Sequence, residues 1–550
     1  HSYTSLERQC RLPIDPESIR SILLAISVAL SILFFPYGLN FYYLMRRARE
    51  YEIPNPNGRK KYPVTVQLPI YNERYVVERL VDACIRMLDH YGKEAVQLML
   101  LDDSTDETTE IAEKIAEKFR NLGYDMAFIH RDNREGFKAG ALKSAMPRTK
   151  YPFIAIFDAD FMPPEDFLDR VMPYFEDPSL AIVQCRWTHF NREYNFITRA
   201  IAIGYDGHHM VEQTGRTAGG FLLNFNGSAG VIRREALDEA GGWQADTLAE
   251  DLDASYRIQL KGWKAIYLRS IECPAEIPPT IPAVKRQQTR WASGSMRVFR
   301  KLCLQVLGHK RLSFGQKVEG LIHLSYYAVH PFMFSAFVIA LVAALLDVRL
   351  VNVGVLQFPE PPMTETIPPL FTSIPYGRTI YGLIQMAWNA FISMPQWIVL
   401  NVMIFFCTIS MWIFYAEALK LQGMSVKSQI KSLGALGLIG FGISFSNTIA
   451  VLRGLFGREP GVFSRTPKYK IEKISDTWRD KKYQVRVNRM VLLETSLGIL
   501  GIVGIIKAFV TTPPNLGIVP ILVLYAIAYL YTAKITVGQA ARSFQQQVSE

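Results

Sequence analysis

Long apolar segments most constrain what this chain can fold into. Residues from about 21 to 45 are almost entirely apolar, and comparable segments occur at about 320 to 346, 396 to 417, 491 to 511 and 516 to 536. Each is close to the 20 residues or so that an α-helix needs to cross a bilayer. Because 20% of the 550 residues are nevertheless charged, we predict a multi-pass membrane protein with a large water-exposed domain.

Positively charged residues predict the orientation of the first span. Arg46, Arg47 and Arg49 follow it at once, and positive flanks stay on the cytoplasmic side of a membrane. We therefore expect residues 1–20 outside and a cytoplasmic catalytic domain over 46–279. The expected location is the plasma membrane, or the Golgi if the protein is eukaryotic.

The region after the catalytic domain is predicted to return repeatedly to the bilayer. Residues 280–318 separate basic from apolar residues at helical spacing, which is typical of interfacial amphipathic helices. Within the transmembrane region, 319–550, a cationic loop at 453–489 lies in the cytoplasm only if the Gly-rich stretch 432–452 is re-entrant. The alternative is an additional crossing at 379–392. A Pro-rich segment over 348–375 is predicted to form an external loop.

Charge and cysteine content narrow the function classes. The net charge of +11 is compatible with nucleic acid, anionic lipid headgroups or phosphorylated substrates as partners. The apolar segments favour membrane lipids and phosphorylated substrates, and with no nucleic-acid-binding module in the sequence we expect no nucleic acid partner. The six cysteines contain no CxxC pair, which argues against a disulfide framework or a structural zinc site.

Between about 62 and 275, short β-rich runs alternate with helical stretches. The runs include VTVQLPIYNE, VQLMLLDDSTDE, MAFIHRDN, FIAIFDADF and AIVQCRW, and polar residues end them. This alternation predicts an α/β domain with a mostly parallel sheet and helices on both faces. Ligands of such sheets bind at the carboxyl ends of the strands, where these polar residues fall.

The first two strand ends supply candidate donor-binding residues. Tyr71 and Glu73 follow the first strand, and Asp102 and Asp103 close the second. Carboxylates at this edge can accept hydrogen bonds from a base or ribose, and Tyr71 can stack on a base. The alternatives are a helix cap with Asx turns for the aspartates and simple packing for the tyrosine.

Asp158 and Asp160 form a DxD sequence at a third strand end. Hard divalent cations such as Mg²⁺ or Mn²⁺ prefer carboxylate oxygens and leave positions for substrate phosphates. The DxD is therefore a candidate metal site that holds a nucleotide diphosphate. A second DxD, at 251–253, is a reminder that the pattern also arises by chance.

Glu250 and Asp251 begin a helical stretch in TLAED, and either carboxylate could act as general base towards an acceptor hydroxyl. On local grounds, acidic residues that stabilise a helix N-terminus are the commoner case. Lys138, in EGFKAGAL, could offset phosphate charge, whereas the alternative is an exposed lysine at a helix start.

Gln287, Arg290 and Trp291 spell QxxRW inside the predicted interfacial segment. Gln287 and Arg290 could bind a diphosphate by charge-assisted hydrogen bonds, and Trp291 could stack on a sugar ring. A tryptophan at the membrane interface is the alternative for Trp291. His208 and His209 lack metal-ligand spacing and are predicted to be structural.

Taken in order, six motifs resemble those of the membrane-embedded family 2 glycosyltransferases, which include cellulose, chitin and hyaluronan synthases. The motifs are PIYNE, LDDSTDE, FDADF, NGSAG, TLAED and QQTRW. HRDNREGFKAGAL, RWTHFN and RTPK look closest to the cellulose-synthase-like A and C branch of mannan and glucan synthases. The chain departs from cellulose synthases at the acceptor motif, where Asn226 replaces a cysteine, and its gating-loop motif is only approximated by 463–466.

The resemblance implies a GT-A nucleotide-sugar domain and specific roles for its residues. Asp103 would contact the nucleoside, Asp160 and Asp158 would hold the metal and donor, and Trp291 would form the floor of the acceptor site. It further implies Asp251 as base beside Glu250, diphosphate binding by Gln287 and Arg290, donor contacts from Tyr71, Glu73, Asp102 and Lys138, and acceptor contacts from Gly227 and Ser228.

The function implied is an inverting, metal-dependent, processive glycosyltransferase. It would extend a β-linked glycan, a β-1,4-mannan or glucan, from a donor of the GDP-mannose or UDP-glucose class and pass the growing chain across the membrane. Two alternatives stay open: a non-processive transferase acting on a lipid acceptor, and a transporter or binding scaffold whose α/β domain only senses nucleotide.

Overall fold

The computed structural model describes residues 15–56, 58, 60–350, 396–458, 461, 465–479, 481, 487–512 and 514–549. Most of the predicted external N-terminus, nearly all of the Pro-rich loop, the alternative crossing at 379–392 and the gating-motif residues Phe463 and Ser464 lie outside the described residues. The predicted cytoplasmic loop 453–489 is described only in part.

A seven-stranded sheet forms the centre of the water-exposed domain, with the strand order β3-β2-β1-β4-β6-β5-β7. The strands β1, β2 and β3 pair in parallel, as do β1 with β4 and β5 with β7, whereas β6 runs antiparallel to β4 and β5. The mostly parallel α/β fold predicted from the sequence is therefore confirmed. Its strands are Val64–Ile70, Val96–Asp102, Met126–His130, Phe153–Ile156, Leu180–His189, Gly230–Arg233 and Lys264–Ala275, numbered β1 to β7.

Apolar clusters on both faces of the sheet hold the helices in place. Val66 and Leu68 of β1 belong to one buried cluster, and Ile154 and Ile156 of β4 belong to the other. Successive side chains of a strand point to opposite faces, so two-sided burial explains the continuous apolar runs. The helices of this domain include α2 (Val77–Tyr91), α3 (Thr108–Asn121), α4 (Phe137–Ala145), α5 (Phe167–Val171), α8 (Arg234–Glu239) and α9 (Glu250–Leu260). The helix before β1 is α1 (Pro16–Arg49).

A long helical segment leads from the sheet to the acceptor motif NGSAG. It consists of α6 (Phe196–Asp206), a π-helical turn at Gly207–Glu212 and α7 (Gln213–Gly219). Asn195 begins it, because its side chain accepts hydrogen bonds from the backbone N–H groups of Ile197 and Thr198, which satisfies donors that a helix start leaves open. Single π-helical turns are frequent at functional sites.

The QxxRW sequence lies within one long helix, α10 (Ile281–Gly308), which is followed by α11 (Phe314–Leu324). Ser313 and Gln316 cap α11 reciprocally through side chain and backbone, a capping box that fixes where this helix begins. An apolar helix over Tyr326–Leu345 lies within the span predicted at about 320 to 346, and the first residues of that range belong to α11.

Four helices among the described residues are long and apolar enough to cross a membrane, at Glu17–Arg49, Tyr326–Leu345, Arg489–Val510 and Leu516–Ser543. Two shorter helices, at Ile430–Gly442 and Ser444–Phe456, meet at a bend of 50°, a shape that suits a broken span or the predicted re-entrant element. The described α-helices after α11 are numbered in chain order: α12 (Val329–Leu345), α13 (Gln396–Lys420), α14 (Ile430–Gly442), α15 (Ser444–Phe456), α16 (Arg489–Val510) and α17 (Val519–Ser549).

Candidate active site

The carboxyl ends of β1, β2 and β4 bring the first predicted residues to one edge of the sheet. In the parallel register Ile70 lies beside Asp102, and the backbone N–H of Asp103 donates to the carbonyl of Ile70 at 3.1 Å. Tyr71 packs under the guanidinium of Arg134, 3.3 Å from the ring centre. This geometry follows from the pattern of the sequence, since parallel strands end on the same side.

Asp102 and Asp103 are adjacent but face different surroundings. The carboxylate of Asp102 is fully buried and accepts hydrogen bonds from the backbone of Ser104 at 3.0 Å and the hydroxyl of Thr109 at 2.7 Å, and its Oδ2 lies 2.7 Å from Nδ1 of His130. This is the Asx-turn alternative considered for the sequence. Asp103 instead receives both arms of Arg131, at 2.7 and 2.5 Å.

Both carboxylates of the DxD sequence are paired with lysines. Lys138 donates to Asp158 at 2.5 Å, and Lys468 forms an ion pair with Asp160. The backbone N–H of Asp158 donates to the hydroxyl of Ser228 at 3.0 Å, which joins the DxD to the acceptor motif. Within the described part of the chain, no group of three or more His, Cys, Asp and Glu side chains surrounds a metal position. Two hard carboxylates do fit a cation that takes its other ligands from phosphate and water.

Lys138 also connects the DxD to the TLAED motif. It donates to the carbonyl of Gly227 at 2.8 Å and lies 4.0 Å from the carboxylate of Glu250. Burial alone would lower the pKa of Lys138, but Asp158, Glu250 and Asp251 outweigh it and raise that pKa. The lysine is therefore charged and surrounded by acidic groups, which favours the phosphate-offsetting role over that of an exposed surface lysine.

Glu250 and Asp251 are neighbouring carboxyls at the start of α9, of which Glu250 is buried and Asp251 is half-buried. Burial, with the neighbouring Asp251 charge, raises the pKa of Glu250 to about 7, and burial also raises the pKa of Asp251. Oδ1 of Asp251 accepts the backbone N–H of Leu252 at 2.8 Å. Its Oδ2 points at Gly227, where an added Cβ would lie 2.6 Å away. Gly227 has a φ of +79°, so the acceptor motif requires glycine for conformation and for space.

The QxxRW side chains reach the same region. Tyr205 of α6 donates its hydroxyl to Gln287 at 2.6 Å, and its ring stands edge-on to the indole of Trp291 with centroids 5.9 Å apart. Arg290 is near enough to lower the pKa of both Glu250 and Asp251 against the effect of burial. Carboxylates from separate strands and helices thus converge beside this tryptophan.

A segment from far along the chain covers Asp160 of the DxD and Glu73, and no role was predicted for it. Arg465 pairs with Glu73 at 3.1 Å, and the backbone N–H groups of Tyr469 and Lys470 donate to Glu276 at 2.8 and 3.1 Å. Burial raises the pKa of Glu73 to about 8 although the Arg465 charge opposes it. The basic sequence RTPK, at 465–468, was the available signal, but nothing local indicates its partners.

The two histidines of the π-helical turn differ. His209 is buried, and its ring packs 5.3 Å from that of Trp187, as suits a structural residue. His208 lies between Glu212, 2.7 Å from its Nδ1, and Asn226 of the acceptor motif, 3.2 Å from its Nε2. The sequence reasoning missed this link to the acceptor motif, because the turn brings together residues that are 18 positions apart.

A GT-A-like sheet whose strand ends carry a DxD, next to a buried carboxyl and a QxxRW helix, is the arrangement expected of a nucleotide-sugar-dependent glycosyltransferase. Residues 153–416 match the family model described as "Glycosyl transferase family group 2". The match includes four of the six motifs, FDADF, NGSAG, TLAED and QQTRW, and confirms the resemblance to family 2 glycosyltransferases.

Among named proteins, this chain is similar to plant mannosyltransferases. It is 38% identical over 268 residues to glucomannan 4-beta-mannosyltransferase 9 of Arabidopsis thaliana, covering 48% of this chain and 50% of that protein. It is 36% identical over 353 residues to probable glucomannan 4-beta-mannosyltransferase 7 of Oryza sativa subsp. japonica, covering 62% of this chain and 57% of that protein. The chain thus spans about half the length of the curated relatives it matches.

One solved structure, described as mannosyltransferase PcManGT from Pyrobaculum calidifontis in complex with GDP-Man and Mn²⁺, superposes with a TM-score of 0.45. The two share 20% sequence identity over 71% of this chain and 99% of that one. A TM-score this low supports no inference about the donor or the metal of this chain.

Proposed function

We propose that this protein transfers a hexose from a nucleotide sugar to a growing β-linked glycan, with mannose from GDP-mannose as the first donor to test. The observation that carries the proposal is the convergence of the DxD carboxylates, Lys138, the Glu250–Asp251 pair and Arg290 of the QxxRW helix in one region. The names of the plant relatives support mannose over glucose.

In this proposal the donor diphosphate lies between the DxD and the basic residues. Asp160 and Asp158 would hold Mg²⁺ or Mn²⁺, which supplies charge stabilisation for the leaving diphosphate. Lys138 and Arg290 add positive charge on the protein side, with Gln287 as a hydrogen-bond donor. Asp103, braced by Arg131, would meet the nucleoside together with Tyr71. Asp102 would position this strand end, since its carboxylate is occupied internally.

Asp251 is the better candidate for the general base. Its Oδ2 faces Gly227 of the acceptor motif, whereas Glu250 lies towards Lys138. Burial raises the pKa of Asp251, which makes its carboxylate a stronger base than an exposed aspartate. Asp251 would remove the proton of the acceptor hydroxyl on one side of the sugar, and the diphosphate would leave on the metal side. This arrangement is an in-line attack, which inverts an α-linked donor to a β-glycoside.

The apolar helices support a membrane-embedded enzyme with its catalytic domain in the cytoplasm, at the plasma membrane or the Golgi. Trp291 would bind the acceptor sugar next to the helices through which a processive enzyme would pass its product. Processivity and translocation are parts of the proposal that product length can test.

The test of the chemistry uses Asp251→Asn in the full-length protein. The near-isosteric change removes the base and keeps the shape of the site. We expect product formation from GDP-mannose to fall by at least 10³-fold, while thermal stabilisation by GDP with Mn²⁺ stays within a factor of two of the wild type. Unchanged turnover would refute the assignment of the base. Loss of both activity and nucleotide stabilisation would indicate misfolding of the Asn variant. Asp251→Glu is the control for that outcome, because it should restore nucleotide stabilisation.

A second candidate function, transfer of a single sugar to a lipid acceptor, is favoured by one observation. A cavity of about 230 Å³ lies among α1, α12, α13, α14 and α17, and its lining includes Phe34, Phe332, Met333, Phe441 and Tyr525. An apolar lining suits an acyl or polyprenyl chain better than a hydrated glycan. Sizing of the radiolabelled product decides between them: a water-insoluble polymer digested by β-mannanase supports the synthase, and one mannose on an organic-soluble lipid supports the second candidate.

A further inference from the structure

Three cations surround a shallow cleft where the end of α9 meets α10 and the turn between α10 and α11. They are Lys261, Lys310 and Arg311, and the cleft has a volume of about 570 Å³. All three side chains are exposed, and among the described residues none of them has an acidic side chain within ion-pair distance. The cleft is therefore a concentration of positive charge that the protein itself does not neutralise.

Large apolar side chains stand exposed directly beside these cations. Leu304 of α10 is 76% exposed and also lines the cleft, Leu307 is 48% exposed, and Phe314, the first residue of α11, is 83% exposed. Exposed phenylalanine and leucine next to lysine and arginine are typical of segments that lie in a membrane interface. A solvated basic face would not need them.

Contacts of α11 fix the height of this turn relative to the membrane. At the end of α11, Tyr37 of α1 lies 2.7 Å from Ser325. At its start, Gln316 donates to the carbonyl of Gly220 at 2.8 Å, and the adjacent Phe221 contacts the ring of Tyr43 at 5.6 Å. The turn is thus level with Tyr43, about 9 Å along α1 from Tyr37 at 1.5 Å per residue.

Tyr43 lies one turn before the basic end of the first apolar helix, where Arg46 and Arg47 follow. Aromatic residues followed by basic ones mark the headgroup level of a membrane on its cytoplasmic side. In a bilayer with its headgroups at this level, Phe314 would lie at the height of the acyl–headgroup boundary. Lys310 and Arg311, a few residues earlier, would lie at the height of the phosphates.

From this geometry we infer a binding site for an anionic phospholipid, which goes beyond the proposed sugar transfer. Lys261, Lys310 and Arg311 hold the lipid phosphate in the cleft, and Phe314, Leu304 and Leu307 insert among the acyl chains. Each basic residue near an anionic leaflet contributes roughly fivefold to binding. The site anchors the far end of the QxxRW helix to the bilayer, which fixes the height of the active site above it.

The experiment measures lipid retention by native mass spectrometry on the full-length protein in detergent, titrated with phosphatidylglycerol or phosphatidylcholine. We expect the wild type to retain at least one more phosphatidylglycerol than phosphatidylcholine. The variant K261Q/K310Q/R311Q should bind that lipid at least tenfold more weakly, without a change for phosphatidylcholine. The matched control K114Q/K118Q/K143Q removes three exposed lysines of the catalytic domain and should behave as the wild type does.

A second measurement tests insertion independently of charge. In vesicles containing brominated phospholipids, Phe314→Trp should add fluorescence that bromine near the headgroup end of the acyl chain quenches. Leu122→Trp, on the catalytic domain, should add fluorescence that is not quenched. Three results would each overturn the inference: equal retention of both lipids by the wild type, equal loss of phosphatidylglycerol binding in the control variant, or an unquenched tryptophan at position 314. The cleft would then face water or another protein.

Discussion

At the scale of single residues, the two carboxyls Glu250 and Asp251 are adjacent in the chain but have different neighbours. Glu250 lies beside Lys138, and Asp251 points its free oxygen at Gly227. Two nearby acids in a low-dielectric environment do not both ionise easily, so the charge on one raises the pKa of the other. Their titration is therefore shared, and the pH dependence of the reaction reports on the pair.

This sharing predicts how Glu250→Gln moves the pH profile. A general base must be deprotonated, so kcat/KM rises with pH as the carboxyl pair loses its proton. Since burial raises the pKa of Asp251 above its ordinary value, we expect the rising limb at higher pH than an exposed aspartate would give. The variant removes one negative charge, which lowers the pKa of Asp251 and shifts the limb to lower pH. A pH–rate series checks this, and a limb that stays in position would show that Glu250 is not coupled to the base.

Gly227 gives a second prediction at this scale. An added methyl group would lie 2.6 Å from the carboxylate of Asp251, on a backbone with a φ of +79°. Gly227→Ala should therefore cost about 1–2 kcal/mol of stability from the left-handed conformation and displace the base, with a loss of activity of at least tenfold. Thermal unfolding and initial rates are the measurements. Gly434→Ala is the control, because its methyl group meets nothing within 4 Å and alanine favours a helix over glycine, so it should lower neither stability nor activity.

At the scale of elements, the sequence predicts what is local and misses what is distant. The strand ends with Glu73, Asp103 and Asp158 follow from hydrophobic pattern and parallel topology alone. Adjacent Asp102 and Asp103 cannot be distinguished in this way, because only the register decides which carboxylate turns inward. The contacts of Lys468 with Asp160 and of Tyr205 with Trp291 join residues far apart in the chain, and no periodicity encodes them.

The segment 465–472 provides the prediction at this scale. Lys468 pairs with Asp160, the proposed metal ligand, so a divalent cation has to compete with its ammonium group. Lys468→Met should tighten Mn²⁺ binding in the absence of nucleotide by roughly three- to tenfold, since loss of one competing charge corresponds to about 1 kcal/mol in a partly exposed site. Electron paramagnetic resonance of free Mn²⁺ measures this without any turnover.

The matched control for that variant is Lys470→Met, which removes an exposed lysine two residues away. It should leave Mn²⁺ affinity unchanged, because the backbone of Lys470, and not its side chain, makes the contact with Glu276. Equal tightening in both variants would mean that general charge around the site, and not the pair with Asp160, sets the affinity. Unchanged affinity in both would contradict Asp160 as a metal ligand.

At the scale of the whole molecule, α10 joins the catalytic domain to the membrane helices. Lys285 of this helix forms a buried ion pair with Glu494 of α16, and the backbone N–H of Ile281 donates to Gln539 of α17 at 3.0 Å. At Gly454 of α15, an added Cβ would collide with the backbone of α10. The QxxRW residues are on this same helix, so the position of the active site depends on these membrane contacts.

The Lys285–Glu494 pair tests that dependence. Removal of one partner leaves a buried charge unpaired, which typically costs 3–5 kcal/mol, so Glu494→Gln should lower the thermal unfolding midpoint in detergent and reduce sugar transfer together. The double variant K285M/E494L removes both charges and should recover most of the stability. Lys507→Met, at the exposed other end of α16, is the control and should change neither property. If Glu494→Gln lowered stability but left sugar transfer intact, α10 would hold the active site in position without help from α16. The hydrogen bond of α10 to α17 and its close packing on α15 would then be sufficient to position it.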